Sequence, residues 1–354
     1  MSERQHNSTT SGGNVWQGSS KRPQNLDCQL ACAAGTTSLF CMSKTVLLFA
    51  GQGAQFVGMG RDLADHYPTA RALFDRANAA LGYDLASICF SGPEADLLKT
   101  ENAQPGIFLV SWVALQLLRE RVPQLRFQAT AGLSLGEFTA LTSAGVMEFE
   151  DGLRVVRLRG RFMQEACDAT RGGMAAIIGL DEGPTREVCA EADVELANLN
   201  CPGQLVISGE SEKIARACEL AKLRGAKRAL PLPVAGAYHS RLMADAQPKL
   251  RAVLADIPLH LPAVPVISNV TAQPHGVASE IHQRLVEQVT SSVRWEESIR
   301  GLLAQGFTRF IELGPGTALS GFMKRIDKTV QVLNVGDCAS LELTATTLGS
   351  ALQP

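Results

Sequence analysis

The sequence predicts an α/β protein in which a parallel sheet, covered by helices, is interrupted by a small ferredoxin-like subdomain. Three observations predict this fold class. Strand-like and helix-like segments alternate from residue 44 onward, a middle segment changes to the order strand, helix, strand, strand, helix, strand, and the alternation then resumes.

The first stretch of alternation opens with the apolar run KTVLLFA, which is typical of a strand buried on both faces. Amphipathic stretches and a second apolar run follow it. We predict these elements in order: strand 44–50, helices 68–81 and 105–120, strand 127–131, and helices from 135 and from 150. Short strands that alternate with helices in this way favour parallel pairing.

The ferredoxin-like order lies in residues 172–234. It comprises MAAIIGL, a helix at 183–191, VELANLN, QLVISG, a helix at 211–224 and AKRALPLPV. The main pattern then continues with a helix from 241, VPVISNV, helices at 279–289 and 295–304, TRFIEL, a helix from 316 and VQVLNV. We therefore expect one large α/β domain, 43–171 with 235–354, that carries the subdomain 172–234 as an insertion.

Residues 1–42 are polar and lack strand or helix periodicity, so we interpret them as a disordered extension. They contain few acids, which leaves a transit peptide and an organelle matrix open, but they hold no secretory apolar region. A start at Met42, directly before the first strand, is the simpler interpretation. It implies a cytoplasmic protein. Cys28 and Cys32 in this extension fit no common zinc or redox spacing.

Composition excludes several classes of function. The 354-residue chain has a net charge of −2, from 33 Lys and Arg against 35 Asp and Glu, so it offers no overall basic field for nucleic acid. Nine scattered cysteines, with no Cys-x-x-Cys pair and no paired histidine ligands, indicate a reducing compartment and no metal. No apolar run reaches the ~18 residues of a membrane span.

A Gly-x-Ser-x-Gly pattern centres on Ser134, between a predicted strand and a predicted helix. This is the setting of a nucleophile elbow, in which the serine hydroxyl sits on a sharp turn above an α/β-hydrolase-like sheet. The helix N-terminus would favour an alkoxide or oxyanion there. The alternative is a small residue that merely opens an amphipathic helix.

A serine nucleophile needs a base, and His239 is the best placed of the six histidines. It follows the last strand of the insertion through a small-residue loop and precedes a predicted helix, whose N-terminus disfavours the protonated ring. The alternative is a turn histidine packed on the sheet. The remaining histidines lie in polar helical or loop contexts, or in the extension, and we interpret them as having no site role.

One arginine stands out on the predicted helix 151–166. Steps of 100° place Arg154, Arg157 and Arg161 on a solvated face, whereas Arg159 falls among apolar residues. A guanidinium in an apolar stripe needs an anion, because it stays charged. That anion is either an internal carboxylate in a structural ion pair or the carboxylate of a substrate.

The loop FAGQGAQFVGMG, residues 49–60, is rich in glycine but lacks the spacing of a dinucleotide or phosphate-binding loop. In enzymes with a nucleophile elbow, one oxyanion donor is the N–H after the nucleophile and the other comes from an earlier loop that follows a strand. Leu135 and Gln52 fit these two places.

Six motifs now stand in one order: GQGAQFVGMG, GLSLGEFTAL, RLRGRFMQEA, NLNCPGQLVISG, GAYHSRLM and ELGPG. Together they resemble the malonyl-coenzyme A:acyl carrier protein transacylases of fatty acid synthesis over about residues 44–335. The resemblance implies that Ser134 is acylated, that His239 is its base and acid, and that Arg159 binds the malonyl carboxylate. It assigns Gln52 and Leu135 as the oxyanion donors.

The resemblance also implies that the backbone carbonyl of Gln288 orients the histidine, a role that the residue's own pattern does not suggest. Without it, Gln288 would be interpreted as an exposed helix residue. One departure is Leu133, where family members often carry histidine before the serine. That change removes a polar neighbour of the nucleophile.

The implied reaction moves a malonyl group from malonyl-CoA to Ser134 and then to the pantetheine thiol of acyl carrier protein, with no cofactor. A serine thioesterase or hydrolase, a polyketide acyltransferase with another extender unit, and a non-catalytic carrier-binding relative remain alternatives. Arg159 argues against a plain esterase, which has no carboxylate to hold. We expect a monomer, and we expect the acidic carrier to dock on Lys227, Arg228, Lys324 and Arg325.

Overall fold

The computed structural model describes residues 43–350. The predicted disordered extension, with Cys28 and Cys32, lies outside these residues. The described strands, in chain order, are β1 Lys44–Phe49, β2 Ala129–Gly132, β3 Gly172–Ile178, β4 Glu195–Cys201, β5 Gln204–Glu210, β6 Arg228–Pro231, β7 Val266–Ile267, β8 Phe307–Leu313 and β9 Gln331–Val335.

The described α-helices lie before, between and after these strands. In chain order they are α1 Arg61–His66, α2 Pro68–Leu81, α3 Leu85–Ser91, α4 Glu94–Leu98, α5 Thr100–Arg121, α6 Leu135–Ser143, α7 Phe149–Asp168, α8 Glu182–Ala192, α9 Ser211–Leu223, α10 Ala246–Ala255, α11 Ala278–Gln288, α12 Trp295–Ala304, α13 Ala318–Ile326 and α14 Cys338–Ser350. Within residues 43–350, none of them is long and apolar enough to cross a bilayer.

The larger sheet has five parallel strands in the order β7-β2-β1-β8-β9. Its central strand β1 is buried from Thr45 to Phe49, because helices cover both faces. This burial explains the unbroken apolar run of the strand. Parallel strands end at the same edge of a sheet, so the loops after β1 and β2 open side by side.

The smaller sheet is antiparallel, with the order β4-β5-β3-β6. Its strands and the helices α8 and α9 follow the ferredoxin-like order, and they enclose a separate apolar core around Val188, Ile207 and Ala217. The predicted fold class is confirmed by this architecture and by the solved structures reported below. The proposed limits of the insertion, 172 and 234, remain a prediction.

Several segments differ from the sequence-based expectation, among them the short helices α1, α3 and α4, which were not predicted. The predicted strand VPVISNV keeps only two strand residues, because Ser268 opens a turn that is closed by the Ser268 N–H bond to the Gln273 carbonyl. The helix expected from 241 starts as a 3-10 turn, Arg241–Met243, before α10. Helix α14 was not predicted, since its Thr-rich sequence has weak helix propensity, yet Asp337 caps its first turn by accepting the Ser340 N–H.

Candidate active site

Ser134 sits on a strained turn between β2 and α6. Its φ is 52° and its ψ is −104°, a combination that non-glycine residues rarely adopt. The two neighbouring glycines make the turn possible: a Cβ added to Gly132 would lie 1.9 Å from the carbonyl atoms of Gly136, and one added to Gly136 would lie 2.2 Å from the Phe49 oxygen. The strand, tight turn and helix predicted around Ser134 are therefore present.

His239 contacts the serine hydroxyl directly. Its Nε2 lies 2.8 Å from Ser134 Oγ, and its Nδ1 lies 2.9 Å from the backbone oxygen of Gln288. A carbonyl can only accept, so Nδ1 carries the proton and Nε2 is free to accept the serine proton. Burial, and next the charge of Arg159, lower the pKa of His239 to about 4. The ring is neutral as expected, but burial rather than a helix N-terminus is the main cause.

Arg159 is 1 % exposed, and its hydrogen-bond partners within the described part of the chain are all neutral. Nη1 donates to Gln104 Oε1 at 2.8 Å, while Nη2 donates to Gln288 Oε1 at 2.9 Å and to Ser134 Oγ at 3.1 Å. Among residues 43–350, no carboxylate forms an ion pair with this guanidinium. The structural ion pair considered from the sequence is therefore absent there, and the charge faces the serine hydroxyl.

The solvated face predicted for α7 needs one correction. Arg154 and Arg161 are exposed, but Arg157 is half-buried. Its guanidinium lies 4.5 Å from the ring centre of Tyr83, and it donates to the Leu81 carbonyl at 2.9 Å. Neighbouring chain segments, which helix periodicity does not report, cover this position.

Gln288 is fully buried, unlike the exposed helix residue that its polar side chain alone would suggest. Besides orienting His239 through its backbone, its side chain donates to the Ser134 carbonyl at 3.0 Å and to Glu137 Oε2 at 2.6 Å. The sequence pattern does indicate this burial, because Ile281, Leu285 and Gln288 share the i, i+4, i+7 face of α11. A glutamine on that face must find partners.

Three further polar residues, which the sequence did not suggest, lie beneath the serine turn. Asn269 accepts the Ser134 N–H at 2.6 Å and donates to the Gly132 carbonyl at 2.8 Å. Glu137 accepts the Asn269 N–H at 3.0 Å and lies 2.6 Å from His275 Nε2, with both side chains fully buried. His275, interpreted as having no site role, therefore supports the turn through Glu137.

The two expected oxyanion donors flank Ser134. Leu135 is the first residue of α6, so its N–H has no acceptor within the helix. Gln52 lies in the loop after β1, where Gln104 donates to its side-chain oxygen at 3.2 Å and its side-chain nitrogen donates to the Tyr238 hydroxyl at 3.3 Å. Leu133 packs against this loop, since a Cβ added to Gly51 would lie 2.5 Å from the Leu133 oxygen.

A cavity of about 570 Å³ opens above Ser134, between the loop after β1 and the small sheet. Ser134, His239 and Gln52 line it, as do Asn198 and Asn200 of β4. Asn200 is 6 % exposed and its Oδ1 has no hydrogen-bond partner among the described residues. The cavity therefore combines a nucleophile, a base and carboxamides that can bind a polar chain.

Comparison with known proteins identifies the family. Residues 46–344 match the acyl transferase domain. The chain belongs to this family. The malonyl CoA-acyl carrier protein transacylase of Bacillus subtilis (strain 168) is 45% identical over 312 residues, which cover 87% of this chain and 98% of that protein.

Two solved structures resemble this acyl transferase closely. An acyl carrier protein S-malonyltransferase from Vibrio cholerae is 40% identical, covers 85% of this chain and 100% of its own, and superposes with a TM-score of 0.82. The PlMCAT:AntF complex, a type II PKS acyl-carrier protein with its malonyl-transacylase, contributes a chain that is 39% identical, with coverage of 86% and 100% and a TM-score of 0.83.

The four basic residues expected to bind a carrier are all exposed in the acyl transferase. Lys227 lies against Gly179, and Arg325 donates to the Pro202 carbonyl and to Gln204. The surface positions of Lys227 and Arg325 are neighbours. The Gly179 N–H donates to the carbonyl of Gly203 at 2.8 Å, and Gly203 lies between the two residues that Arg325 contacts. Arg228 continues from Lys227 into β6, and Lys324 precedes Arg325 on α13.

No metal centre is apparent in the described part of the acyl transferase. Across residues 43–350, no group of three or more His, Cys, Asp or Glu side chains is placed to hold an ion. In the buried Glu137–His275 pair, Glu137 Oε2 accepts the Asn269 N–H and Glu137 Oε1 lies 2.6 Å from His275 Nε2, so both carboxylate oxygens have partners in the turn.

Proposed function

We propose that this chain transfers the malonyl group of malonyl-CoA to the phosphopantetheine thiol of an acyl carrier protein, through a malonyl ester of Ser134, and so supplies fatty acid elongation. The observation that carries the proposal is the Arg159 guanidinium, which is buried, has no carboxylate partner within residues 43–350 and lies 3.1 Å from the serine hydroxyl. A substrate carboxylate satisfies this charge. The names of the relatives agree with this activity.

In the first half-reaction, His239 Nε2 takes the proton of Ser134 as Oγ attacks the thioester carbonyl. The oxyanion forms at the N–H groups of Leu135 and Gln52, each of which contributes about 3 kcal/mol in comparable enzymes. The carbon–sulfur bond then breaks, and His239 returns the proton to the CoA thiolate. The products are the malonyl ester and free CoA.

The second half-reaction reverses these roles with a new thiol. His239 takes the proton of the pantetheine thiol, the thiolate attacks the ester, and the same two N–H groups hold the oxyanion. Ser134 leaves with the proton from His239. Each bond that breaks is replaced by another, so the sequence of steps calls for no cofactor.

Arg159 supplies selectivity for a free carboxylate. Gln104 and Gln288 hold the guanidinium in one orientation through their side-chain oxygens, while contributing no negative charge. A malonyl carboxylate can then form a charge-assisted pair without displacing an internal acid. The same positive charge helps to keep His239 neutral, because it lowers the pKa of the ring.

The cavity suits the pantetheine arm that CoA and carrier protein share. Asn198 and Asn200 present carboxamides to the cavity, and the arm contains amide groups that pair with them. Asn200 Oδ1 is buried and has no partner within residues 43–350, so an amide N–H of the arm that reaches it would satisfy this acceptor.

Product analysis separates a transferase from a thioesterase. With malonyl-CoA and carrier protein, we expect CoA release to be matched by malonyl-carrier, with free malonate a minor product. The amounts of malonyl-carrier, malonate and CoA are measured by chromatography and mass spectrometry. Free malonate as the main product in the presence of carrier would identify a hydrolase.

One observation supports a polyketide acyl carrier protein as an alternative acceptor. The chain resembles a malonyl-transacylase solved with a type II PKS acyl-carrier protein. Polyketide carrier loading is therefore the second candidate. Comparison of kcat/KM for carriers from the two pathways, measured with the same malonyl-CoA, distinguishes them.

The exposed basic residues offer a docking surface for an acidic carrier. We expect Lys227→Glu combined with Arg228→Glu to raise the KM for carrier about tenfold, because electrostatic attraction is lost. Acylation from malonyl-CoA should stay within twofold of wild type. Lys222→Glu, an exposed change on α9, is the control. Equal losses in both half-reactions would show misfolding rather than lost docking.

We place the reaction in the cytoplasm. The six cysteines of residues 43–350 are free thiols, and most of them are buried, as is typical of proteins in reducing compartments. Cell fractionation with an antibody to the chain tests this location. Recovery in an organelle matrix would support the transit-peptide alternative instead.

A further inference from the structure

We propose that the hydroxyl of Tyr238 is a positioning group that holds Gln52, and with it the oxyanion-binding N–H of Gln52, in place for both half-reactions. This inference rests on the proposed function. It extends that function by assigning a role to a side chain that does not touch the reacting atoms.

The hydroxyl ends a chain of hydrogen bonds that begins at Arg159. Arg159 donates to Gln104 Oε1 at 2.8 Å, Gln104 Nε2 donates to Gln52 Oε1 at 3.2 Å, and Gln52 Nε2 donates to Tyr238 at 3.3 Å. The Tyr238 hydroxyl also shares a hydrogen bond of 2.7 Å with Thr100 Oγ1.

The chemistry of the side chains fixes which group donates and which accepts in each of these hydrogen bonds. A guanidinium only donates, so the oxygen of Gln104 must face Arg159 and its nitrogen must face Gln52. The oxygen of Gln52 is then occupied, and its nitrogen needs an acceptor on the far side. The Tyr238 oxygen is that acceptor, and a phenylalanine there would leave the amide nitrogen without it.

The hydrogen bond between Gln52 and Tyr238 is formed where the tyrosine is buried. Tyr238 is 6 % exposed, and burial first of all raises the pKa of its hydroxyl to about 12, so the group stays neutral at working pH. Gln104 is fully buried, whereas Gln52 is only half-buried in a glycine-flanked loop. Tethers at both ends of its amide therefore restrict a residue that its backbone alone would leave mobile.

Loss of the Tyr238 hydroxyl is expected to weaken transition-state stabilisation rather than substrate binding. The Gln52 N–H must point at the oxyanion, and small displacements of such donors reduce the rate. We expect Tyr238→Phe to lower kcat about tenfold and to leave KM within twofold. The losses should be equal with malonyl-CoA and acetyl-CoA, because every acyl group forms the same oxyanion.

A double-mutant cycle tests the link between the two residues. Gln52→Leu keeps the backbone N–H but removes the tethered amide, so it should lower kcat to a similar extent. We expect the double variant Gln52→Leu with Tyr238→Phe to be within twofold of the slower single variant, because both changes break the same tether. Losses that multiply in the double variant would overturn the proposal.

Tyr83→Phe provides the matched control. It removes the hydroxyl of a half-buried tyrosine, which donates to Asn102 Oδ1 at 3.2 Å outside the hydrogen-bond chain. We expect its melting temperature to match that of Tyr238→Phe and its kcat to equal wild type. Unchanged kcat in Tyr238→Phe, or a loss confined to malonyl-CoA, would each overturn the proposal.

The proposed function and the role of Tyr238 can be disproved separately. If wild-type protein forms no malonyl ester but accepts another acyl thioester, malonyl transfer is wrong, whereas the effect of Tyr238→Phe is still measured with the accepted thioester. If wild-type protein transfers malonyl groups normally and Tyr238→Phe equals it, only the role of Tyr238 is wrong.

Discussion

In the His239→Ala variant, both half-reactions are expected to slow by about three orders of magnitude, because a single ring serves as base and then as acid. Nε2 lies 2.8 Å from Ser134 Oγ, and no other histidine contacts this hydroxyl among residues 43–350. Rapid-quench measurement of acylation, and of transfer to carrier, gives the two rates separately. His66→Ala, at an exposed position, is the control.

The pH dependence follows from the lowered pKa of His239. The neutral ring is the active form, and a pKa of about 4 keeps it neutral well below pH 7. We therefore expect wild-type acylation to be level down to about pH 5 and to fall by half near the lowered pKa. A loss in only one half-reaction of His239→Ala would contradict the assignment, and an acidic limb near the ordinary histidine pKa would contradict the lowered pKa.

The Arg159→Ala variant is expected to lose two to three orders of magnitude in kcat/KM with malonyl-CoA, since about 1.5–3 kcal/mol is lost for each hydrogen bond to a charged group. Acetyl-CoA, which has no carboxylate, should lose less than about tenfold, so the preference between the two substrates narrows or inverts. Arg154→Ala, at an exposed position of the same helix, is the control.

Stability measurements distinguish a role of Arg159 in substrate recognition from a role in holding the fold together. Arg159→Met keeps most of the side-chain volume and should show the same change of preference, with a smaller fall in melting temperature than Arg159→Ala. Loss of the guanidinium also removes one cause of the lowered His239 pKa, so the acidic limb should move to higher pH. Parallel losses with both thioesters would make Arg159 a structural residue.

Local patterns were sufficient to nominate five of the site residues, with Leu135 and Gln52 placed relative to the serine turn and its preceding loop. Ser134 stood out because glycines flank it between a strand and a helix, and Arg159 because helix periodicity placed it on an apolar face. His239 was nominated from its loop position, although the cause of its neutrality lies in burial that the sequence does not show. The alternation of strands and helices likewise predicted both sheets.

Other features depend on contacts between distant segments. Gln288 orients His239 through a backbone carbonyl, a group that every residue carries, so its residue type is uninformative for that role. Asn269 and Glu137 are separated by 132 positions, and only folding brings them together beneath the serine. The same holds for Gln104 and Tyr238, which became recognisable only through their hydrogen bonds with Gln52.

Intact-mass measurement of the acyl-enzyme tests the central claim most directly. After brief mixing with malonyl-CoA and an acid quench, we expect wild-type protein to gain one malonyl group, and peptide mapping to place it on Ser134. Addition of carrier protein should remove the group and yield malonyl-carrier, and Ser134→Ala should gain none while keeping its melting temperature. Malonyl labelling of Ser134→Ala at the wild-type level, or on another residue of wild-type protein, would contradict the account.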